Sequence, residues 1–426
     1  MRGGRPGGLR WAAWMGGLGI ALAVSACQSA RVSDREIDNL FRGGKYEEAA
    51  ARLEAGYRKH GEEGGKDSLL YLLDLGLARH QAGQFDEANR AFLKADEVAE
   101  IKDYTKLSVE AAVLITSDLM KAYKGEEFEN VMISTYLAMN YALLGKSEDA
   151  RVEARRVNRK LERMVTEGKR KYQQNAFARY LSGILYEADE NWNSAYIDYK
   201  KTWELSPEAP GLGKALWRVA RRGGFREDLP RWEAEFGEGV RSTAPPRAEI
   251  IVFYQNGISP RKLPNPDFSS LPKFYARKNP AVGAEVELLG ETSNQAALPA
   301  KTQVLYDIEQ VAIQNLEEKY GSLVAKKLAG LIVKETLADQ IERSTKSPLA
   351  GFLARVAMYA SDQADCRSWA LLPKDLQMAR LEVQPGVHEV RLTPVGPLGE
   401  RLQPLPGKVV SVAAGQKVFV NFRYLP

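Results

Sequence analysis

The chain has 426 residues, of which 44% are hydrophobic and 27% charged, an ordinary globular composition with enough apolar material for two or three cores. Sixty Lys and Arg against 55 Asp and Glu give a formal charge of +5, too small a surplus to point to nucleic acid. Two cysteines and three histidines exclude a disulfide framework and a histidine-based metal cluster.

The N-terminus reads as an address. Residues 1–10 are positive and Gly-rich, and residues 11–24 are apolar but too short to span a bilayer. They end in Val24-Ser25-Ala26-Cys27, where small residues fit a narrow peptidase cleft and a thiol offers a nucleophile for acylation. This segment resembles the lipobox of bacterial lipoproteins. The resemblance implies a signal peptide over residues 1–26, cleavage before Cys27, acyl (diacylglyceryl and palmitate-type) chains on Cys27 and a short lipidated tether over residues 27–34. Gln28 in place of Asp favours the outer membrane, so the expected location is periplasmic, at its inner leaflet. Loss of Arg2, Arg5 and Arg10 with the signal would lower the charge of +5 by three, to +2.

Residues 69–100 carry Leu75-Gly76, Ala78, Gly83, Phe85, Ala88, Phe92 and Ala95. Gly76 and Ala88 suit a close crossing of two antiparallel helices, Gly83 a tight turn, and the phenylalanines the space between neighbouring pairs. The pattern resembles the tetratricopeptide repeat. Weaker copies fall at residues 35–61, 131–161 and 175–207 on the same frame, with Ala49, Ala88, Ala150 and Ala195 as the shared small position. Their spacings of 39, 62 and 45 residues exceed the usual period of about 34 and mark an irregular array with an extra helical stretch at residues 108–123.

In repeats of that kind the first helix of each pair lines a concave groove. The matching positions here are Leu73, Leu77, Met132, Met139, Leu143, Phe177, Tyr180 and Ile184. So apolar a face suits an extended or helical partner segment. It equally suits filling by the chain itself, by residues 108–123 or the C-terminal half, which is preferred because an open face invites aggregation. Arg151, Arg155, Arg159 and Arg163, with Arg156 and Lys160, form a drifting basic stripe. It could meet anionic headgroups or an acidic partner, but interleaved Asp149, Glu153 and Glu162 favour a solvated helix face.

Beyond Pro207 the pattern stays partly helical, with Trp217 and Trp232 as packing anchors, up to the break at Pro245-Pro246. Residues 248–254 then read as a strand ending in the Asn256-Gly257 turn, residues 263–280 as irregular and residues 284–289 as a strand. Residues 302–341 and 348–359 read as core helices whose charges rule out membrane spans. From Leu376 the alternation is β: Ala379, Leu381 and Val383, a turn at Pro385-Gly386, a return through Val390 and Leu392, and a last strand through Val418, Val420, Phe422 and Tyr424. The expected fold is α+β. An N-terminal α-solenoid of tetratricopeptide-like hairpins (35–241) precedes a mixed domain (247–426) with core helices and a small, mainly antiparallel sheet in a sandwich or half-barrel.

Residues 254–257 (Tyr-Gln-Asn-Gly) with 260–262 (Pro-Arg-Lys), 365–369 (Asp-Cys-Arg-Ser-Trp) with 372–373 (Leu-Pro), and 175–183 resemble an uncharacterised family of proteobacterial tetratricopeptide-repeat lipoproteins. Its members are encoded near lipoproteins that activate penicillin-binding proteins. The resemblance implies a role in envelope or peptidoglycan biogenesis and supplies no catalytic residue.

Cys366 beside Arg367 could be an activated thiol, but a thiol enzyme needs a positioned base, and His388 lies beyond a turn on another strand. A structural reading is simpler: Trp369 in the core, Arg367 and Asp365 paired, Cys366 as filler. The carboxylates Glu317 and Glu318 fall on a helix, and no phosphate loop, zinc spacing or serine elbow occurs. The function expected is a non-enzymatic scaffold with a protein or peptide partner and neither cofactor nor metal. A cell-wall- or lipid-acting enzyme and a structural subunit of a secretion or surface-polymer complex are the alternatives.

Overall fold

The computed structural model describes residues 34–61, 65–104, 122–166, 174–241, 248–289, 299–360 and 363–426. The lipidation site Cys27, the signal segment and most of the extra stretch at 108–123 lie outside the described residues.

Helices α1 (Asp34–Arg42) and α2 (Tyr46–His60), α3 (Ser68–Gln81) and α4 (Phe85–Tyr104), α5 (Glu127–Leu143) and α6 (Ser147–Thr166), and α7 (Ala176–Ala188) and α8 (Trp192–Leu205) form four hairpins in series. A fifth, α9 (Leu212–Gly223) and α10 (Leu229–Phe236), is one more than the sequence repeats suggest. Each first helix stops the same way. A residue with φ of +57° to +85° follows it: Gly44, Gly83, Gly145, Glu190 and Gly224. The next amide then reaches back to close the last turn: Lys45 to Leu40 O, Gln84 to Arg79 O, Lys146 to Tyr141 O, Asn191 to Tyr186 O and Phe225 to Ala220 O. This is a Schellman stop, which favours glycine because a Cβ is strained there. Ala49, Ala88, Ala150 and Ala195 are all fully buried. A Cβ on Gly76 would lie 2.5 Å from Phe92, and one on Gly183 2.5 Å from Tyr199, so the helices cross where the small residues permit.

The C-terminal half contains two four-stranded sheets. The first orders β10 (Lys417–Tyr424), β1 (Glu249–Asn256), β7 (Asp375–Glu382) and β6 (Gln303–Asp307); the second orders β5 (Ala300–Lys301), β4 (Gly283–Leu289), β8 (Gly386–Val395) and β9 (Lys408–Val412). Between them lie Ile250, Val252, Tyr254, Ala379, Val420 and Phe422 from one side and Ala284, Val286, Val390, Leu392 and Val412 from the other. The alternate residues of the first sheet, Ile251, Phe253, Leu376 and Met378, join the core of the helical array. The molecule is therefore a helical array, a sheet and a second sheet in layers, and all eight residues of β1 are buried because both its faces are covered.

Four sequence expectations change. Residues 303–307 are a strand, since Val304 and Tyr306 pair with β7 and Asp307 caps the helix that follows by accepting from the Gln310 amide at 2.9 Å. The Pro385-Gly386 turn does not close a hairpin: β7 pairs with β1 and β6, whereas β8 crosses to the other sheet to pair with β4 and β9. The segment expected to be irregular holds the small hairpin β2 (Arg261–Pro264) and β3 (Pro272–Tyr275). Helices α11 (Ile308–Thr345) and α12 (Pro348–Ala360) are not core helices. Only the first half of α11 reaches the core, through Ile308, Val311, Ala312 and Leu316, with Ile313 and Leu323 packed against it. Leu328, Ile332, Leu349, Phe352 and Leu353 are more than half exposed.

Candidate functional site

The first helices α3, α5 and α7 carry the face expected to bind. Leu73, Leu77, Met132, Met139, Phe177, Tyr180 and Ile184 are fully buried, and Leu143 is half-buried. They belong to one continuous core with Ile251, Phe253, Leu376, Met378 and Trp369. Phe177 meets Phe253 with ring centroids 5.5 Å apart, and Trp369 sits 5.8 Å from both Phe92 and Tyr136. The sheet and the Trp369 segment thus occupy the groove, as in the self-filled reading.

Polar clusters fasten that contact. At one end Arg380 of β7 grips Glu249 of β1 through two bonds of 2.8 and 2.9 Å and reaches Glu187 of α7 at 2.6 Å. Arg218 of α9 donates to Glu187 at 2.6 Å, Lys417 of β10 pairs with Glu249, and the Tyr199 hydroxyl donates to Glu187 at 2.6 Å. Burial alone would raise the Glu249 carboxyl, but Arg380 and Lys417 outweigh it and hold it at about 2. Glu187 is depressed likewise: Arg380, Lys417 and Arg218 overcome its burial. Removing any one of these charges would leave another stranded in an apolar layer.

In the middle, Gln255 of β1 enters the array. Its carbonyl oxygen accepts from Gln81 at 2.8 Å and from the Tyr136 hydroxyl at 2.9 Å, and its amide donates to Asn421 at 2.7 Å and to His80 Nε2 at 2.8 Å. The other ring nitrogen, Nδ1, then carries the proton and donates to Asn140 Oδ1 at 2.5 Å. Burial lowers His80 to about 4, so the ring is neutral at physiological pH and fits this tautomer.

At the other end Glu129 accepts from the Trp369 amide at 2.8 Å, the Tyr123 hydroxyl at 2.6 Å and the Glu126 amide at 2.9 Å. Burial raises its carboxyl, and the neighbouring Glu126 adds to this. Glu126 takes Lys262 at 3.1 Å and Lys319 at 2.8 Å, which overcome its burial and hold it at about 2. Arg367 pairs with Asp365 at 2.8 Å and Asp67 at 3.1 Å, and Trp369 is buried. Cys366 is half-buried, and burial pushes its thiol up to about 11, away from the thiolate a nucleophile needs. The His388 ring is engaged with the Gln384 carbonyl at 2.8 Å, in the second sheet. Among the described residues, no group of three or more His, Cys, Asp or Glu is placed to hold a metal ion.

The basic stripe on α6 is partly spent on cross-ties between repeats. Lys160 reaches Asp96 at 2.6 Å, Arg156 reaches Asp96 at 3.2 Å, and Arg151 pairs with Asp189. An open cleft of about 610 Å³ runs beside α8, lined by Glu162, Arg179, Tyr196, Ile197, Lys200 and Phe225. Tyr196 and Phe225 stack at 4.3 Å to form its floor, and Ile197 is 58% exposed.

The Glu187–Glu249–Arg380–Lys417 network and this cleft are not among the sequence expectations. The network did leave a signal. Arg380 interrupts the alternate positions Leu376 and Met378 on the same face of a strand, and a charge on a buried face needs a partner.

No protein-family description matches the chain, and no curated protein matches it. Among solved structures it is similar to MamA, at 13% identity and a TM-score of 0.31 over 47% of this chain and 91% of that one. It is also similar to a tetratricopeptide repeat protein from Parabacteroides merdae ATCC 43184, at 18% identity and a TM-score of 0.31 over 49% of this chain and 66% of that one.

Proposed function

We propose that this chain is a non-catalytic scaffold of the cell envelope, tied by acyl chains on Cys27 to the inner leaflet of the outer membrane, and that a protein partner docks in the cleft beside α8. One observation carries the choice of site: the concave face is already filled by the chain's own sheet, so a partner must be met elsewhere. The cleft supplies what such contact needs, an exposed Ile197 and a stacked aromatic floor between Glu162 and Lys200. A part in peptidoglycan biogenesis rests on the family resemblance and on the lipobox.

The test is photo-crosslinking in native membranes from position 193, where exposed Asn193 also lines the cleft, with capture of the adduct. Ile197→Asp should abolish the adduct and the co-purification of its partner while the thermal transition stays in place. A partner that survives Ile197→Asp removes the cleft as the site. Intact mass of the membrane-extracted protein decides the tether, and a free thiol at Cys27 would end that part of the reading.

A further inference from the structure

Helices α11 and α12 form a hairpin that departs from the body. Beyond Leu323 no α11 residue joins the core of the array. The buried residues of its outer part, Gly330, Lys334 and Ala338, recur every four positions, and Lys334 donates to the Met358 carbonyl of α12 at 3.3 Å. About 1.5 Å per residue puts the tip some 35 Å past Leu323. The hairpin's charges tie the two helices to each other: Arg355 of α12 pairs with Glu335 at 3.1 Å, Glu342 at 3.1 Å and Asp339, all partly exposed. Its outer face holds the hydrophobes: Leu349, Phe352, Leu353 and Val356 are 65%, 58%, 52% and 48% exposed. Their spacing of i, i+3, i+4 and i+7 places them in one stripe, and Arg355 is the single charged residue of α12.

We propose that the outer face of α12 lies in the headgroup–acyl boundary of an anionic bilayer. Charge favours that occupant. Residues 321–360 contain six Lys and Arg against three Asp and Glu, a net +3. All three acids are bound to Arg355, and Arg343 and Lys346 stand exposed at the tip beside the stripe. Apolar side chains flanked by cations suit phosphate headgroups over acyl chains. Length agrees: 13 residues are too few to cross a bilayer, and no helix among the described residues is long and apolar enough to do so. The inference concerns residues that take no part in lining the α8 cleft, and it stands without the scaffold reading.

The test uses the full chain with Cys27→Ser and Cys366→Ala and one introduced thiol, Leu353→Cys or, on the exposed outer strand, Val409→Cys, each carrying a nitroxide or fluorophore. The N-terminal segment is the same in every variant, so only a local readout counts. With vesicles of phosphatidylethanolamine and phosphatidylglycerol, a quencher in the acyl region should reach the label at 353 and not the label at 409. Salt, or phosphatidylcholine in place of the anionic lipid, should weaken the effect. Leu349→Glu and Phe352→Glu should each lower lipid partition of the 353 label at least about tenfold, with an unchanged circular dichroism spectrum. Equal quenching at both positions, or none at 353, overturns the proposal. So does label-to-label coupling at 353 without lipid together with a doubled native mass, which assigns the stripe to a second copy.

Discussion

Two apolar surfaces of this chain are treated in opposite ways. The concave face of the repeats, from Leu73 to Ile184, is covered by a sheet and pinned by buried charges at its ends, with His80 and Gln255 between. The outer face of α12 is left bare, and its one charge, Arg355, is tied to the acids of α11. Both stripes carry the helical periodicity that marks a packing face, yet only one has found its partner within the chain. Periodicity identifies a face that has to be covered and is silent on what covers it. The polar residues beside each face carry that information. Those around the groove reach across to the sheet, while the acids Glu335, Asp339 and Glu342 of α11 meet Arg355 of α12.

The sharpest way to break the contrast is at the groove. Arg380→Ala strands Glu187 and Glu249 in the layer between array and sheet and should cost about 3–5 kcal/mol in urea unfolding. A loss below about 1 kcal/mol would mean that the sheet is not clamped there. Next is pH. His80 is held at about 4 against an ordinary 6.5, so the unfolded chain takes up a proton over that window that the folded chain refuses. Its contribution is complete above pH 6.5 and is lost as pH falls through 4, about 3 kcal/mol in all. The stability–pH slope in that window should flatten in His80→Gln.

Gly183→Ala is the third. The new Cβ would lie 2.5 Å from the Tyr199 ring, whose hydroxyl is held by Glu187, so the ring cannot swing aside, and a loss of about 1–3 kcal/mol is expected from thermal denaturation. Glu190→Gly runs the other way. It relieves a side chain at φ +57° in the Schellman stop where the other four repeats have glycine, and should gain about 0.5–1 kcal/mol. The smallest effect belongs to α12. Leu349→Glu or Phe352→Glu should shift stability by no more than about 0.5 kcal/mol, since neither side chain is buried, and a larger loss would place the stripe in a core.

Much of the array was legible. The glycines at the turns, the four buried alanines and Gly76 against Phe92 all follow from steric rules acting within one hairpin. The fifth hairpin was not legible as a repeat because Gly224 keeps the turn while Leu229 stands where the other four have alanine. Residues 303–307 carry a helical signal because Val304 and Ile308 share a helical spacing, while pairing with β7 decides for a strand. The groove-lining residues were legible as an apolar face, but the cleft beside α8 was not, since it joins Glu162, Ile197 and Phe225 from three elements.

The sequence alone determined what depends on neighbours along the chain: where helices stop, which faces are apolar, and which small residues allow helices to cross. The tertiary structure alone decided the parallel pairing of β1 with β10, the crossing of β8 into the second sheet, and the filling of the groove by β1 and β7. The physical reason is range. Steric and capping rules act over a few residues, whereas Arg380 meets Glu187 across 193 positions, and a contact of that span is selected by the burial and charge balance of the whole fold.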